Sequence, residues 1–444
     1  MEDNMTLSRK TRPIWRFFSG LPMLAWLLGG LVGALLEQTF GLTLANAMGL
    51  SKIPVLFGIN TTFKVVASII DSLRGGDVFL ASELLDIPSA LIYVLCIFVL
   101  PMGLFFKVAG KACNSLVRAM SHMPLIVTAT LHLTIMFSVF HIWAGMSDYR
   151  LITLKLMLIA ILITLSLNII NGYMGEFSCS HPGFMALGAY GASLFSVGLF
   201  VDDKVLGAPV FEWAQAYLTF PLALIFGGLI ASLWALIIAI PSFKTRGDYL
   251  AIISLAFLFI VKSFFENVQA MGGPRGLSGQ PDWATLPVVF LVVIAGVWII
   301  NNFVTSTMGK ALNAVRDDES AAEAMTVDTR KTKMTAFLFG AFWAGVAGGL
   351  FAHVLRYVNP AMFGVQKLAE VLAMVYFGGL NSVTGSIIGA VSISVLGEAL
   401  RPLGIFKWIC IPLLLILVMI YRPTGLFAFR DFNIRSMFGP REEK

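Results

Sequence analysis

Charge is scarce in this sequence. Asp, Glu, Lys and Arg supply 13% of its 444 residues, against about 25% in a soluble domain. With 58% hydrophobic residues and a mean hydropathy of +0.85, the chain has too little polar surface for water, so lipid is its solvent over most of its length. Paired cysteines are missing too. Cys96, Cys113, Cys179 and Cys410 form no Cys-x-x-Cys unit and lie within or beside apolar runs, as small packing residues do. The five histidines never take His-Glu-x-x-His spacing, and His132 and His141 share one apolar stretch as helix-packing donors, so no metal and no cofactor is expected. A phosphate loop is also lacking, because Gly309-Lys310 is followed by Ala311 rather than Ser or Thr. The chain cannot draw on ATP through that motif. No nucleophile with a base or metal pair stands out, so the chain is not read as an enzyme. No series of acids runs through the apolar segments, as a proton-coupled carrier would need.

What is present is a succession of apolar runs, near 21–36, 88–106, 124–144, 151–170, 181–200, 217–241, 249–268, 284–304, 334–355 and 405–421, with an interrupted one at 368–400. Each is judged against the ~20 apolar residues a span requires. The run at 21–36 follows Arg9, Lys10, Arg12 and Arg16 as a signal peptide would, but no small-residue cleavage site follows, so it reads as a retained first helix. The net charge of +6 lies in loops and ends, which indicates membrane orientation rather than nucleic-acid binding. Lys107, Lys111 and Arg118 in 107–123, Lys244 and Arg246, and Arg422, Arg430, Arg435 and Arg441 mark the cytoplasmic side. The stretch 37–86, with five acids and three basic residues, is placed outside.

Counting crossings puts 357–367 outside, and the basic tail must be inside, so 368–400 crosses twice or not at all. Its middle, Gly378-Gly379-Leu380-Asn381-Ser382-Val383-Thr384-Gly385, breaks a helix. Broken helices at membrane depth survive where they are buried or line a wet cavity, which makes this segment a candidate for pathway lining. Ala341, Gly345 and Gly349 form a small-residue stripe, and Gly385 with Gly389 forms another. Such stripes allow close backbone approach, inside one chain or between subunits.

The loop 305–333 differs from its surroundings, with five basic and five acidic residues over Met308–Lys333. Met308, Ala311, Leu312 and Val315 recur at helical spacing. Ser320-x-x-Glu323 has capping-box spacing for a second short helix, with Asp317, Asp318 and Glu319 near its positive end. An amphipathic helix pair at a membrane surface either docks on a partner or ties two spans together.

Several stretches resemble the inner-membrane permeases of branched-chain amino-acid ABC importers of the LivM kind, in consistent order through roughly 150–430. They are Asn171–Ser178 followed by His181–Tyr190, then Arg246-Gly247-Asp248-Tyr249-Leu250-Ala251-Ile252, then Gly272-Gly273-Pro274-Arg275-Gly276-Leu277. Gly309–Glu319 with Ala321–Met325, and Arg422-Pro423-Thr424-Gly425-Leu426, complete the set. The resemblance implies an all-α integral membrane protein, a polytopic bundle of about 10–12 spans with the permease fold of ABC importers. It implies an N-terminal extension over 1–145, a permease core over 146–430 and a cytoplasmic tail over 431–444. It further implies that 308–325 couples to the ATPase, through Lys310, Leu312, Val315, Arg316, Asp317, Asp318, Glu319 and Glu323. Tyr173, Phe184 and Tyr190 from the first signature join Gly378, Gly379 and Asn381 as candidate pathway lining. The implied partners are a second permease, expected to be a paralogue, two cytoplasmic ABC ATPases and a periplasmic binding protein. The implied setting is the lipid bilayer of a bacterial cytoplasmic (inner) membrane, with both termini inside. The chain departs from the family at Met271, at Asn381 and at Cys179-Ser180, close to the candidate pathway segments. Leu277-Ser278-Gly279-Gln280 looks like part of the ATPase signature peptide but is a residue short and placed outside, so it is read as coincidence.

Among the few charges within spans, Lys155 is expected to snorkel, and Lys262 and Glu266, four apart near a helix end, to pair or snorkel. Glu370 and Glu398 flank the broken segment near helix ends. The leading expectation is a permease moving branched-chain amino acids. One alternative keeps the class and changes the cargo to urea or short-chain amides. Another is an ion-coupled secondary carrier, which would show uptake following an imposed ion gradient without ATP.

Overall fold

The computed structural model describes residues 20–50, 53–54, 58–73, 84–120, 122–200, 216–243, 249–422 and 425–427. Arg9, Lys10, Arg12, Arg16, Lys244, Arg246, Gly247, Asp248, Pro423, Thr424, Arg430, Arg435 and Arg441 lie outside those residues, as does the expected tail 431–444. Lipid offers the backbone no hydrogen bonds, so a spanning segment must satisfy its own N–H and C=O groups as a helix. Helices accordingly dominate the described chain: α1 Met23–Ala47, α2 Ile59–Leu73, α3 Asp86–Met120, α4 Leu125–Ala144 and α5 Asp148–Met174. They continue as α6 His181–Phe200, α7 Ala216–Ser242, α8 Tyr249–Asn267, α9 Leu286–Thr305, α10 Thr307–Asp317 and α11 Glu319–Ala324. The last four are α12 Thr329–Leu355, α13 Val365–Gly378, α14 Val383–Ala399 and α15 Lys407–Tyr421. Among the described residues, ten helical segments are long and apolar enough to cross a membrane, and α14 and α15 are shorter apolar helices.

Two compact units emerge, one built mainly from residues up to Leu151 and one from Ile152–Glu398 with Gly404–Phe432. In the first, α1 packs against α3 and α4. Leu21, Ala25, Phe106 and Cys113 form one apolar cluster and Ala45, Leu50, Tyr93 and Ile97 another. The first helix ends at Ala47 rather than at the expected 36. The physical reason is a partner far along the chain: Arg150 donates to Glu37 at 2.9 Å, both side chains being almost wholly buried. The Arg150 guanidinium also meets the Met146 sulfur at 2.8 Å and lies 5.2 Å from the centre of the Trp143 ring. Glu37 is therefore a helix residue and not part of an outward loop. Lys107, Lys111 and Arg118, expected in a loop over 107–123, likewise lie on α3, which runs to Met120 through a π-turn at Leu95–Val99.

In the second unit, α6, α7 and α12 pack most intimately. Gly188 makes this possible, because a Cβ there would fall on the backbone of Gly345. The stripe Ala341, Gly345, Gly349 thus serves intrachain packing, with Gly345 against Gly227, Gly228 and Ala231 and Gly349 against Leu224 and Ala192. Gly385 and Gly389 close against Gly378 in the α13–α14 hairpin, again within the chain. A two-residue antiparallel pairing joins β1 (Leu277–Ser278) to β2 (Tyr357–Val358), with Leu277 opposite Val358. The Leu277–Gln280 stretch has a structural job there: Gln280 is buried and donates to the Ser193 hydroxyl at 3.1 Å. Lys155 does not snorkel. It is 8% exposed, because α5 is enclosed by neighbouring helices and gives its side chain no short route to water. Lys262 and Glu266 do approach each other, at 3.7 Å.

Candidate functional site

The short pair α10–α11 is built by three polar caps. The Ser306 hydroxyl accepts from the Gly309 N–H at 3.4 Å and starts α10. Asp318 caps α11 by accepting from the Ala321 N–H at 3.0 Å, and Asp328 caps α12 by accepting from the Lys331 N–H at 3.0 Å. The second short helix therefore starts two residues before the expected Ser320, since the Asp318 carboxylate reaches the free N–H groups first. Gly309, Leu312, Val315 and Ala322 are buried against the chain's own helices. Lys310, Asp317, Asp318, Glu319 and Glu323 are exposed. So of the eight residues expected to act in coupling, two hold the pair to the bundle and five form its outer surface.

The eighth, Arg316, does both. Its guanidinium bonds the Asp317 carboxylate at 2.8 and 3.0 Å and donates to the Gly172 carbonyl at 3.3 Å. Its stem lies against Gly175, whose φ of +77° and missing Cβ leave room for it. Gly172 belongs to a π-turn, Ile169–Met174, at the end of α5, and a carbonyl at a π-turn is freer to accept from outside the helix. Lys333 adds a second clamp, with Nζ 2.8 Å from Glu176 and 3.0 Å from Glu319. One turn before Gly172, buried Asn168 donates to the Ser382 carbonyl at 3.0 Å and the Ser386 hydroxyl at 2.6 Å, and accepts from the Asn381 N–H at 3.2 Å. The α10 helix, the end of α5 and the α13–α14 turn thus form one hydrogen-bonded chain of elements.

That turn sits at the same end of the unit as α10, not midway along the bundle. Phe427 N–H donates to the Gly378 carbonyl at 2.9 Å, just past the end of α15. Asn381 takes φ +54°, a left-handed value that Asn tolerates and Gly prefers. The segment 368–400 is consequently two helical arms that go and return. Of the other candidate lining residues, Tyr173 is buried on the π-turn and Phe184 lies in a cluster with Phe257 and Phe337, at 5.4 and 5.5 Å. Tyr190 stacks on Phe265 at 3.9 Å.

The second unit also holds a cavity of about 170 Å³, and none of those six residues lines it. Four ionisable side chains gather on its wall, Lys367 and Glu370 from α13, Glu398 from α14 and Lys407 from α15, with Thr153 and Ser394 beside them. Lys367 and Glu370 pair at 3.1 Å, the Lys367 ammonium lies 5.6 Å from the centre of the Phe351 ring, and Glu370 also feels the charge of Lys407. Met157, Ala160, Ile163 and Phe351 make the remainder largely apolar. The charged residues sit at the helix ends remote from α10. Lys367 and Lys407 had no signal in periodicity, since each is a single charged residue at the edge of an apolar run, and Ser394 had none as one of several small residues within such a run. The signal that would have found the two lysines is their opposition to two glutamates across helix ends.

A bundle of apolar helices, two returning arms and a surface helix pair braced on the bundle define a polytopic membrane permease. The family model for the permease component of branched-chain amino acid transport systems matches residues 149–421, and the chain belongs to that family. The high-affinity branched-chain amino acid transport system permease protein LivM of Escherichia coli is 30% identical over 306 residues, 61% of this chain and 68% of that protein. LivM of Salmonella typhimurium is 29% identical over 317 residues, 64% and 71% of the two chains. A probable LivH permease of Methanocaldococcus jannaschii is 29% identical over 120 residues, 27% of this chain and 36% of that one. No solved structure matches the chain.

Proposed function

We propose that this chain is one permease subunit of an ATP-driven importer that carries branched-chain amino acids across a bacterial cytoplasmic membrane. A periplasmic binding protein delivers the cargo, a paralogous permease completes the channel, and two cytoplasmic ATPases dock on α10–α11. Family membership supports the transport role, and the LivM and LivH names of its relatives support the cargo and the paralogous partner. The observation that carries the coupling reading is the exposed row Lys310, Asp317, Asp318, Glu319 and Glu323 on a helix pair whose other face is bolted to α5 by Arg316. ATP-driven closure of the partner would push that pair. Arg316 transmits the push to the Gly172 carbonyl, and Asn168 carries it to the α13–α14 turn.

The test is uptake of L-leucine by vesicles holding the complete importer, with ATP hydrolysis measured in parallel. Arg316→Glu should lower uptake at least about tenfold, some 1.4 kcal/mol of lost coupling, while hydrolysis and membrane insertion persist. Ala322→Pro should do the same, because proline removes the N–H that bonds Asp318 inside α11. Wild-type coupling in both variants would refute the role of the helix pair.

A further inference from the structure

We propose that the cavity walled by α5, α13, α14 and α15 binds a zwitterionic amino acid with an apolar side chain. The carboxylate is held by Lys367 and Lys407, the ammonium by Glu370 and Glu398, and the side chain lies along Met157, Ala160 and Ile163. This inference rests on the amino-acid cargo proposed above and adds where and how one chain holds it.

The charges make the case. Ionisable groups gathered on the lining of a largely apolar cavity are retained where they pair or meet a ligand. Here two lysines and two glutamates sit on one cavity wall, and their formal charges cancel. A wall of both signs and no net charge favours a molecule that is itself both cationic and anionic. A free carboxylic acid or a free amine would engage charges of one sign only. A neutral amide carries no charge for either sign to hold, so the wall offers urea-like cargo no ionic contact. The Lys367–Glu370 pair is consistent with this: at 3.1 Å with both side chains partly exposed, it can open to share its members with a ligand.

Size and layout agree. Drug-sized ligands occupy pockets of roughly 300–1,000 Å³, so ≈170 Å³ suits a single small metabolite and not a peptide or nucleotide. The α5 residues Met157, Ala160 and Ile163 lie three and then three residues apart, which puts them on one helical face next to the cavity. The outcome is a polar wall joined to an apolar one, the division a branched aliphatic amino acid carries in its own structure.

The experiment is ligand protection on the full chain in lipid nanodiscs, without ATP. Ser394→Cys and Ala160→Cys place reporters on the polar and apolar walls, and alkylation at each position is read by peptide mass spectrometry. Millimolar L-leucine should slow alkylation at both by about tenfold, corresponding to dominant occupancy. Glycine should protect position 394 only, and 4-methylpentanoate and 3-methylbutylamine, each lacking one charged group, should protect neither. Lys367→Met combined with Glu370→Gln should abolish protection by L-leucine. Equal alkylation with and without L-leucine at both reporters would overturn the inference, as would protection surviving in the double variant. Should one reporter fail to fold, the other decides alone. Protection without ATP-dependent uptake would leave the site standing and remove the importer reading, whereas uptake without protection would do the reverse.

Discussion

At the residue scale, the buried ion pair Arg150–Glu37 illustrates how a membrane protein uses charge. Two ions removed from water gain from each other only if both remain, and deleting one leaves the other stranded. Glu37→Ala is therefore expected to cost about 3–5 kcal/mol, read as a lower melting temperature of the purified full chain in detergent. Replacing both partners by apolar residues, Glu37→Leu with Arg150→Met, should recover most of that loss. This pair also marks a limit of reading from sequence. Glu37-Gln38-Thr39 looks like the end of a span, and the arginine that keeps the helix going lies 113 residues further along. Lys155 failed for the related reason that snorkelling assumes a side chain on the outer face of its helix, and this one is enclosed by the rest of the unit. By contrast, Lys262 and Glu266 were legible because four residues of helix fix their distance locally.

At the element scale, local patterns told most of what the structure contains and long-range pairs the rest. The amphipathic face Leu312, Val315 announced α10, and the helix-breaking run from Gly378 announced the hairpin. The level of that hairpin's turn could not be read, since it depends on Asn168 and on Phe427 meeting it from elsewhere in the chain. The small-residue stripes were visible, but whether they faced this chain or another was fixed only by Gly188 and Gly227 lying opposite. That packing yields a sharp expectation. Gly188→Leu drives a side chain into the Gly345 backbone, which cannot rotate away as a side chain would. Its cost should reach or exceed the ~3 kcal/mol top of the usual overpacking range, measured as loss of monodisperse protein on size-exclusion chromatography. Glu37→Ala tests a charge; this variant tests a shape, and a mild effect would show that α6 and α12 can separate.

At the scale of the whole molecule, composition alone identified the solvent, and solvent dictated helices; the cavity escaped notice because its wall is assembled from the tips of separate elements. One further property follows from α15. Ile409, Leu413, Ile416 and Ile420 form an outward apolar row along it, bounded by Trp408 with Lys407 at one end and Tyr421 with Arg422 at the other. Aromatic and basic residues favour the headgroup level, and the 15-residue helix is about 22 Å long, some 8 Å less than the ~30 Å hydrocarbon core. Such a mismatch costs fractions of a kcal/mol per Å. The surrounding leaflets must pinch beside α15, so acyl-chain length becomes a control on the protein: uptake should be faster in short-chain phosphatidylcholine vesicles than in long-chain ones, and indifference to thickness would mean that another protein surface, not lipid, covers that row.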